Sequence, residues 1–287
     1  MNGTCKLCQK HTKLNDSHII PKFIHNWQKK TSFTGNIRSS ENIDKVNQGG
    51  FKDYLFCNEC EQHFSKLETN FSKEFFYPFI DENILNLYDI NLSKFVISLA
   101  WRVLIKYKKD KLFDKFEDST IKKINRYEII WREYLLSDTN EIPKDINHNI
   151  YILYENLYPH PSFNRYLRTS EATFMSDSEG GSYFYIKLPY FTFLAFVENY
   201  NYKYWGNSEI QNYGYIDLKT QYMHTSMEDI IKESCETVKN SVKQYSETQY
   251  IKSQNRFNKA NFYNTHAFEM AVEDFKNYGD ESLPKRD

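Results

Sequence analysis

No stretch of this chain is apolar for long enough to cross a bilayer. The longest apolar run, Phe95-Val96-Ile97-Ser98-Leu99-Ala100-Trp101, falls far short of the roughly 20 residues a spanning helix needs. The N-terminus lacks the apolar segment of a secretory signal, so a cytoplasmic location and no membrane partner are expected. Neither sign of charge dominates: 37 Lys and Arg face 38 Asp and Glu, for a formal charge of −1. That balance removes any global basic field, and contact with nucleic acid must come from a local patch. Glycine is scarce, at 9 residues, and there is no internal repeat or low-complexity tract, which excludes repeat architectures. Cysteine is limited to five residues. In a reducing compartment paired cysteines favour a metal over a disulfide.

Aromatic residues are abundant, at 17% with 23 Tyr and 22 Phe, so bulky rings must supply much of the core. The 287 residues suit one or two domains, read as a small module over 1–71 and a larger body over 72–287. The fold class expected is α+β.

In the module, Ser17-His18-Ile19-Ile20 reads as a short strand and Pro21 as the start of a helix with Phe23, Ile24 and Trp27 on one face. A polar loop follows from Thr31, and Gly49-Gly50 turns the chain into a strand over Phe51–Phe56. From Glu59 a helix carries Phe64 and Leu67 on one face and Glu61, Ser65 and Glu68 on another, at i, i+4 and i+7. In the body, 72–137 reads as helical, with Phe95, Leu99, Val103 and Leu104 as the apolar stripe and Arg102, Lys106, Lys108 and Lys109 outside it. Residues 148–218 read as strand-rich, with a hairpin turn at Ser178-Glu179-Gly180-Gly181 and a further strand over Tyr213–Leu218. Residues 226–278 read as helical, Ser226 being a candidate N-cap.

Four of the cysteines form two CxxC pairs, Cys5/Cys8 and Cys57/Cys60. The two-residue spacer lets both thiolates of a turn converge on one ion, so the pattern points to a structural Zn2+. A site closed by four cysteines leaves no coordination position for water or substrate, and its role is to hold something else in place. Cys235 stands alone and reads as a small apolar residue.

Two CxxC pairs enclosing Ser17-His18-Ile19-Ile20-Pro21, the second pair opening a helix, resemble the zinc-stapled HNH endonucleases of the ββα-metal type, and in particular a Ser-His-Ile-Ile-Pro subgroup of bacterial proteins. The resemblance covers about the first quarter of the chain. It implies a β-hairpin followed by a helix and metal-dependent hydrolysis of phosphodiester bonds in DNA. His18 matches the general base, and a second divalent ion, Mg2+ or Mn2+ among the candidates, would take Glu61, Ser17, Glu68 and His63 as candidate ligands. Ser17 stands where the family carries Asp, and a neutral hydroxyl binds a hard cation less well. Asp16 is adjacent but points to the opposite face of a strand. By analogy the setting is defence against phage or a mobile element, with a regulatory protein as a further candidate partner. The alternative is a zinc module that binds nucleic acid or protein without cleaving.

The remaining signals are bland. His11 and His25 read as surface or packing residues, and His148, His160, His224 and His266 show no ligand spacing. The run Lys106-Tyr107-Lys108-Lys109-Asp110-Lys111 reads as a solvated helix face that could meet phosphates. The aromatic strands over 183–197 read as packed sheet before they read as a base-stacking platform.

Overall fold

In the computed structural model, the described residues are 1–39, 42–46, 50, 52–82, 84–198, 200–259 and 265–283, the side chains at 202 and 242 aside. Strands β1 (Asn2–Thr4) and β2 (His11–Lys13) pair antiparallel, and the turn between them carries Cys5 and Cys8. β3 (Asn15–His18) pairs antiparallel with β4 (Lys52–Phe56), setting Ser17 opposite Asp53 and His18 opposite Lys52. The strand expected at Ser17–Ile20 therefore begins earlier and stops at His18. Pro21 lacks an N–H for the ladder, and its φ of −52° already suits the entry to α1 (Lys22–Lys30). Gly49 and Phe51 of the expected turn lie outside the described residues; Gly50 has a φ of +70°, and a Cβ there would collide with the His25 ring.

α2 (Asn58–Phe71) opens directly after Cys57 and buries Cys60, Phe64, Leu67 and Phe71. It passes through a π-helical turn over Ser72–Phe76 into α3 (Tyr77–Glu82). α4 (Ile90–Lys109) is the central helix, and Asp89 caps it by accepting the Asn91 N–H at 2.9 Å. Its burial is not confined to a stripe: Arg102, expected outside, is 2% exposed. A helix covered on several sides buries its polar positions too, which periodicity alone does not reveal. α5 (Asp118–Leu136) packs against α4.

β5 (His148–Ile152), β6 (Glu171–Asp177), β7 (Gly181–Leu188) and β8 (Phe191–Glu198) form one antiparallel sheet in the order β5-β8-β7-β6. Its β6–β7 turn lies at the expected place, with Asp177 accepting the N–H groups of Glu179 and Gly180. Tyr213–Leu218 is not a strand; only an isolated bridge joins Gly214 to Tyr88. The short helix α6 (Phe163–Leu167) was not anticipated, and α7 (Tyr202–Trp205), α8 (Thr225–Ser241), α9 (Glu247–Lys259) and α10 (His266–Tyr278) complete the chain. Ser226 lies inside α8, where its hydroxyl meets Asp177 and Tyr204 while its N–H donates to His224 Nδ1. It thus ties helix to hairpin instead of capping.

Aromatic rings join the N-terminal module to the body. Phe71 stacks on Phe95 at 4.1 Å and meets Phe191 edge-on at 5.2 Å, while Phe56 stacks on Trp101 at 5.7 Å. One apolar cluster runs from Cys5 to Met270, so the boundary expected near residue 71 is crossed by continuous core. No helix among the described residues is long and apolar enough to cross a membrane.

Candidate metal centre and His18

The two CxxC turns converge because β3–β4 pairing brings the β4–α2 junction against the β1–β2 turn. Lys6 donates its N–H to the Leu55 carbonyl at 2.9 Å, and the Cys57 N–H points at Cys5 Sγ at 3.4 Å. The sulfurs of Cys5, Cys8, Cys57 and Cys60 all lie within 4.8 Å of one another. Cys8 Sγ and Cys57 Sγ are 3.7 Å apart, against the about 3.8 Å edge of a tetrahedron with metal–sulfur bonds near 2.3 Å. Burial pushes the Cys5 and Cys60 thiols up. At Cys8 burial acts the same way, but the Lys10 backbone N–H and the neighbouring thiols outweigh it and hold this thiol down. Four soft donors in one shielded group fit Zn2+, whose charge would stabilise the thiolates that burial opposes. Such an ion would tie the N-terminal turn to the first turn of α2.

His18 ends β3, opposite Lys52 and at the end of the β3–β4 ladder away from Cys57. It is half-buried, and no described residue hydrogen-bonds to its ring, which lies 6.3 Å from the ring of His25. Burial first, and then the charges of Lys52 and Lys22, hold its imidazole below the usual histidine range, so the ring is neutral near pH 7. Phe23 packs on Phe71 and Phe76, and Trp27 on Phe76, Tyr190 and His266, so neither covers His18 as its main partner.

Ser17 is 1% exposed, its hydroxyl donating to the Asn15 carbonyl at 3.2 Å. Asp16, on the opposite face, is exposed and pairs with Lys52 at 3.5 Å. Glu61 lies near Ser17; burial raises its carboxyl, against the pull of the Ser17 hydroxyl and the Arg102 charge. Glu68 is the salt-bridge partner of Arg102 at 2.7 Å, and the same Nη1 donates to the His18 carbonyl at 3.0 Å. His63 faces the Leu135 carbonyl at the end of α5.

The structure thus gathers His18, Ser17, Glu61 and Glu68 around Arg102 and leaves His63 on another side of α2. Among the described residues only the four cysteines form a group able to hold a metal ion. The residue that sequence reasoning missed is Arg102. Its signal was present as a lone charge within the apolar run from Phe95 to Ile105.

Three of the four lysines in the run from Lys106 to Lys111 are engaged in salt bridges. Lys106 pairs with Asp53 and Asp110, Lys109 with Asp53, and Lys108 with Glu128. Compared with protein-family models, curated proteins and solved structures, the chain matches none.

Proposed function

We propose that the protein is an endonuclease of the HNH type that hydrolyses phosphodiester bonds in DNA, with His18 as general base. The observation that carries this reading is the state of His18: a neutral imidazole with no ring hydrogen bond to a described residue, at the end of an antiparallel strand pair that leads into α2. Such a ring can take a proton from water as the oxygen attacks phosphorus. Lys52 and Lys22 are the cations that act on its ring most strongly, and they supply positive charge for the phosphate. Arg102 acts as a positioning residue, clamping the end of β3 to Glu68 of α2. The four-cysteine centre holds the frame and takes no part in the proton transfer.

A resident Mg2+ or Mn2+ does not fit the residues as they stand. Arg102 occupies Glu68, His63 faces α5, and Glu61 has the neutral Ser17 hydroxyl beside it and the Arg102 cation acting on it. This arrangement favours the second reading, a zinc module that has kept its shape for binding nucleic acid or a protein without cleavage. Phage defence or a mobile element is the setting we propose for the enzyme.

The two readings separate on one assay. Supercoiled plasmid and single-stranded DNA are incubated with purified protein, with and without Mg2+, Mn2+ or Ni2+, for wild type and His18→Ala. Nicking by wild type that falls at least about 100-fold in His18→Ala, at unchanged zinc content, supports the enzyme. Absence of cleavage by folded, zinc-loaded wild type under every condition refutes it and leaves the binding module.

A further inference from the structure

In a chain of balanced charge, two segments hold cations without acids. No Asp or Glu occurs from Ser17 to Ser40, which carries Lys22, Lys29, Lys30 and Arg38, nor from Thr248 to Phe268, which carries Lys252, Arg256 and Lys259. In the structure these segments meet. The stretch after α1 supports α9: Phe33 packs on Phe257 with ring centroids 5.6 Å apart, the Arg38 guanidinium lies over the Tyr245 ring at 5.1 Å, and Asp44 accepts the Ser246 N–H at 3.0 Å.

Both helices carry their cations at the same spacing. On α1, Ile24, His25, Trp27 and Gln28 are buried, while Lys22, Asn26 and Lys29 recur at i, i+4 and i+7 on the opposite face, with Lys30 beside them. On α9, which buries no residue, Lys252, Arg256 and Lys259 recur at the same intervals, all exposed, with Asn255 and Asn258 next to them. Lys22, Lys30, Lys252, Arg256 and Lys259 form no salt bridge or side-chain hydrogen bond with a described residue. Lys106, Lys108 and Lys109 differ, since each has an acidic partner. A solvated helix face ordinarily interleaves both signs, whereas clustered cations repel one another and gain from a polyanion.

Three features select the polyanion. Lys, Arg and Asn are donors suited to phosphate oxygens. Neither helix exposes an aromatic ring, so the stacking platform used for single strands is missing. Ile251 is the one large apolar side chain that α9 exposes, too little to enter a bilayer. From Lys252 to Lys259 the helix rises about 10 Å, or about three base-pair steps.

We propose that the basic faces of α1 and α9 bind the phosphate backbone of duplex DNA, α1 at the phosphates next to His18 and α9 further along. The placement of α1 follows from Lys22, whose charge acts on the His18 ring. In taking DNA to the His18 site, this surface deepens the nuclease reading and rests on it for the bond that is cut.

Fluorescence anisotropy of a short labelled duplex tests the surface, with the zinc-loaded full chain carrying His18→Ala so that the DNA stays intact. Log affinity is expected to fall linearly with log salt. In that background Lys252→Gln/Arg256→Gln/Lys259→Gln is expected to weaken binding at least about 10-fold and to make the salt slope shallower by about 3. Lys22→Gln/Lys30→Gln is expected to make it shallower by about 2. A charge-matched control, Lys122→Gln/Lys144→Gln/Lys219→Gln, alters exposed lysines outside both segments and is expected to bind as its parent does. An unchanged slope in the α9 variant or an equal loss in the control would overturn the proposal. So would binding of single-stranded DNA, duplex RNA, polyglutamate or anionic vesicles as tight as that of duplex DNA. Cleavage is scored separately on the chain with His18 intact. The expected slopes without cleavage refute the nuclease alone, and cleavage with unchanged slopes refutes this surface alone.

Discussion

Replacing Arg102 by methionine removes the guanidinium that joins β3, α2 and α4. The side chain is 3% exposed and pairs at 2.7 Å with Glu68, itself 20% exposed. It also donates to the carbonyls of His18 at 3.0 Å and Ser98 at 3.2 Å. Removing one partner of a fully buried pair costs about 3–5 kcal/mol. Two features lower that figure here: Glu68 keeps some access to water, and the change also removes Nη2, a buried donor without a partner. Methionine refills the volume of the alkyl stem against Phe64, over whose ring the guanidinium lies at 5.3 Å. The expected loss is about 2–3 kcal/mol, seen as a Tm lower by about 4–10 °C. Urea unfolding followed by circular dichroism measures it, and a double-mutant cycle with Glu68→Gln isolates the pair, with an expected coupling of at least about 1 kcal/mol. A loss below about 0.5 kcal/mol, or a coupling of zero, would refute the view that this arginine clamps the strand to the helix.

Purified protein is expected to carry one Zn2+ per chain by atomic absorption, and Cys60→Ser to lose it together with at least about 3 kcal/mol of stability. His148 lies wholly buried, with Nε2 2.7 Å from the Ser93 hydroxyl, and burial brings it down to about 3. An unfolded histidine titrates near 6.5, so between these values the unfolded chain binds the extra proton. Stability from this residue is complete above pH 6.5 and falls as pH drops toward 3, by up to about 1.4 kcal/mol per pH unit. In His148→Gln the pH dependence of urea unfolding between pH 6 and 4 is expected to flatten by that amount; an unchanged slope sinks the assignment. Gly50→Ala is expected to lose about 1–3 kcal/mol, because φ is positive and the new Cβ would displace His25; an unchanged Tm would contradict this.

The local signals were legible where one residue type has one physical reading. CxxC spacing marked two turns able to share a metal, Pro21 marked the entry to a helix, and Ser178-Glu179-Gly180-Gly181 marked the hairpin. Tyr213–Leu218 misled because alternating aromatic and aliphatic residues suit a strand only when a partner edge is available. Here the segment meets Tyr88 at a single bridge, and Tyr213 and Tyr215 stay exposed. Ser226 misled because a hydroxyl near a helix start caps only if nothing stronger competes for it, and Asp177 does.

By itself the sequence determined the elements whose information is local: the cysteine pairs, the short strands and helix starts beside them, and the aromatic supply for the core. Only the tertiary structure decided what depends on distant segments. The two CxxC turns lie roughly fifty residues apart in the chain and come together through β3–β4 pairing. Arg102 reaches His18 across 84 residues and Glu68 across 34, taking a carboxylate that sequence reading offered to a metal. A side chain's chemistry follows from its covalent structure, but its partners, charge state and access to water follow from which other segments burial places against it.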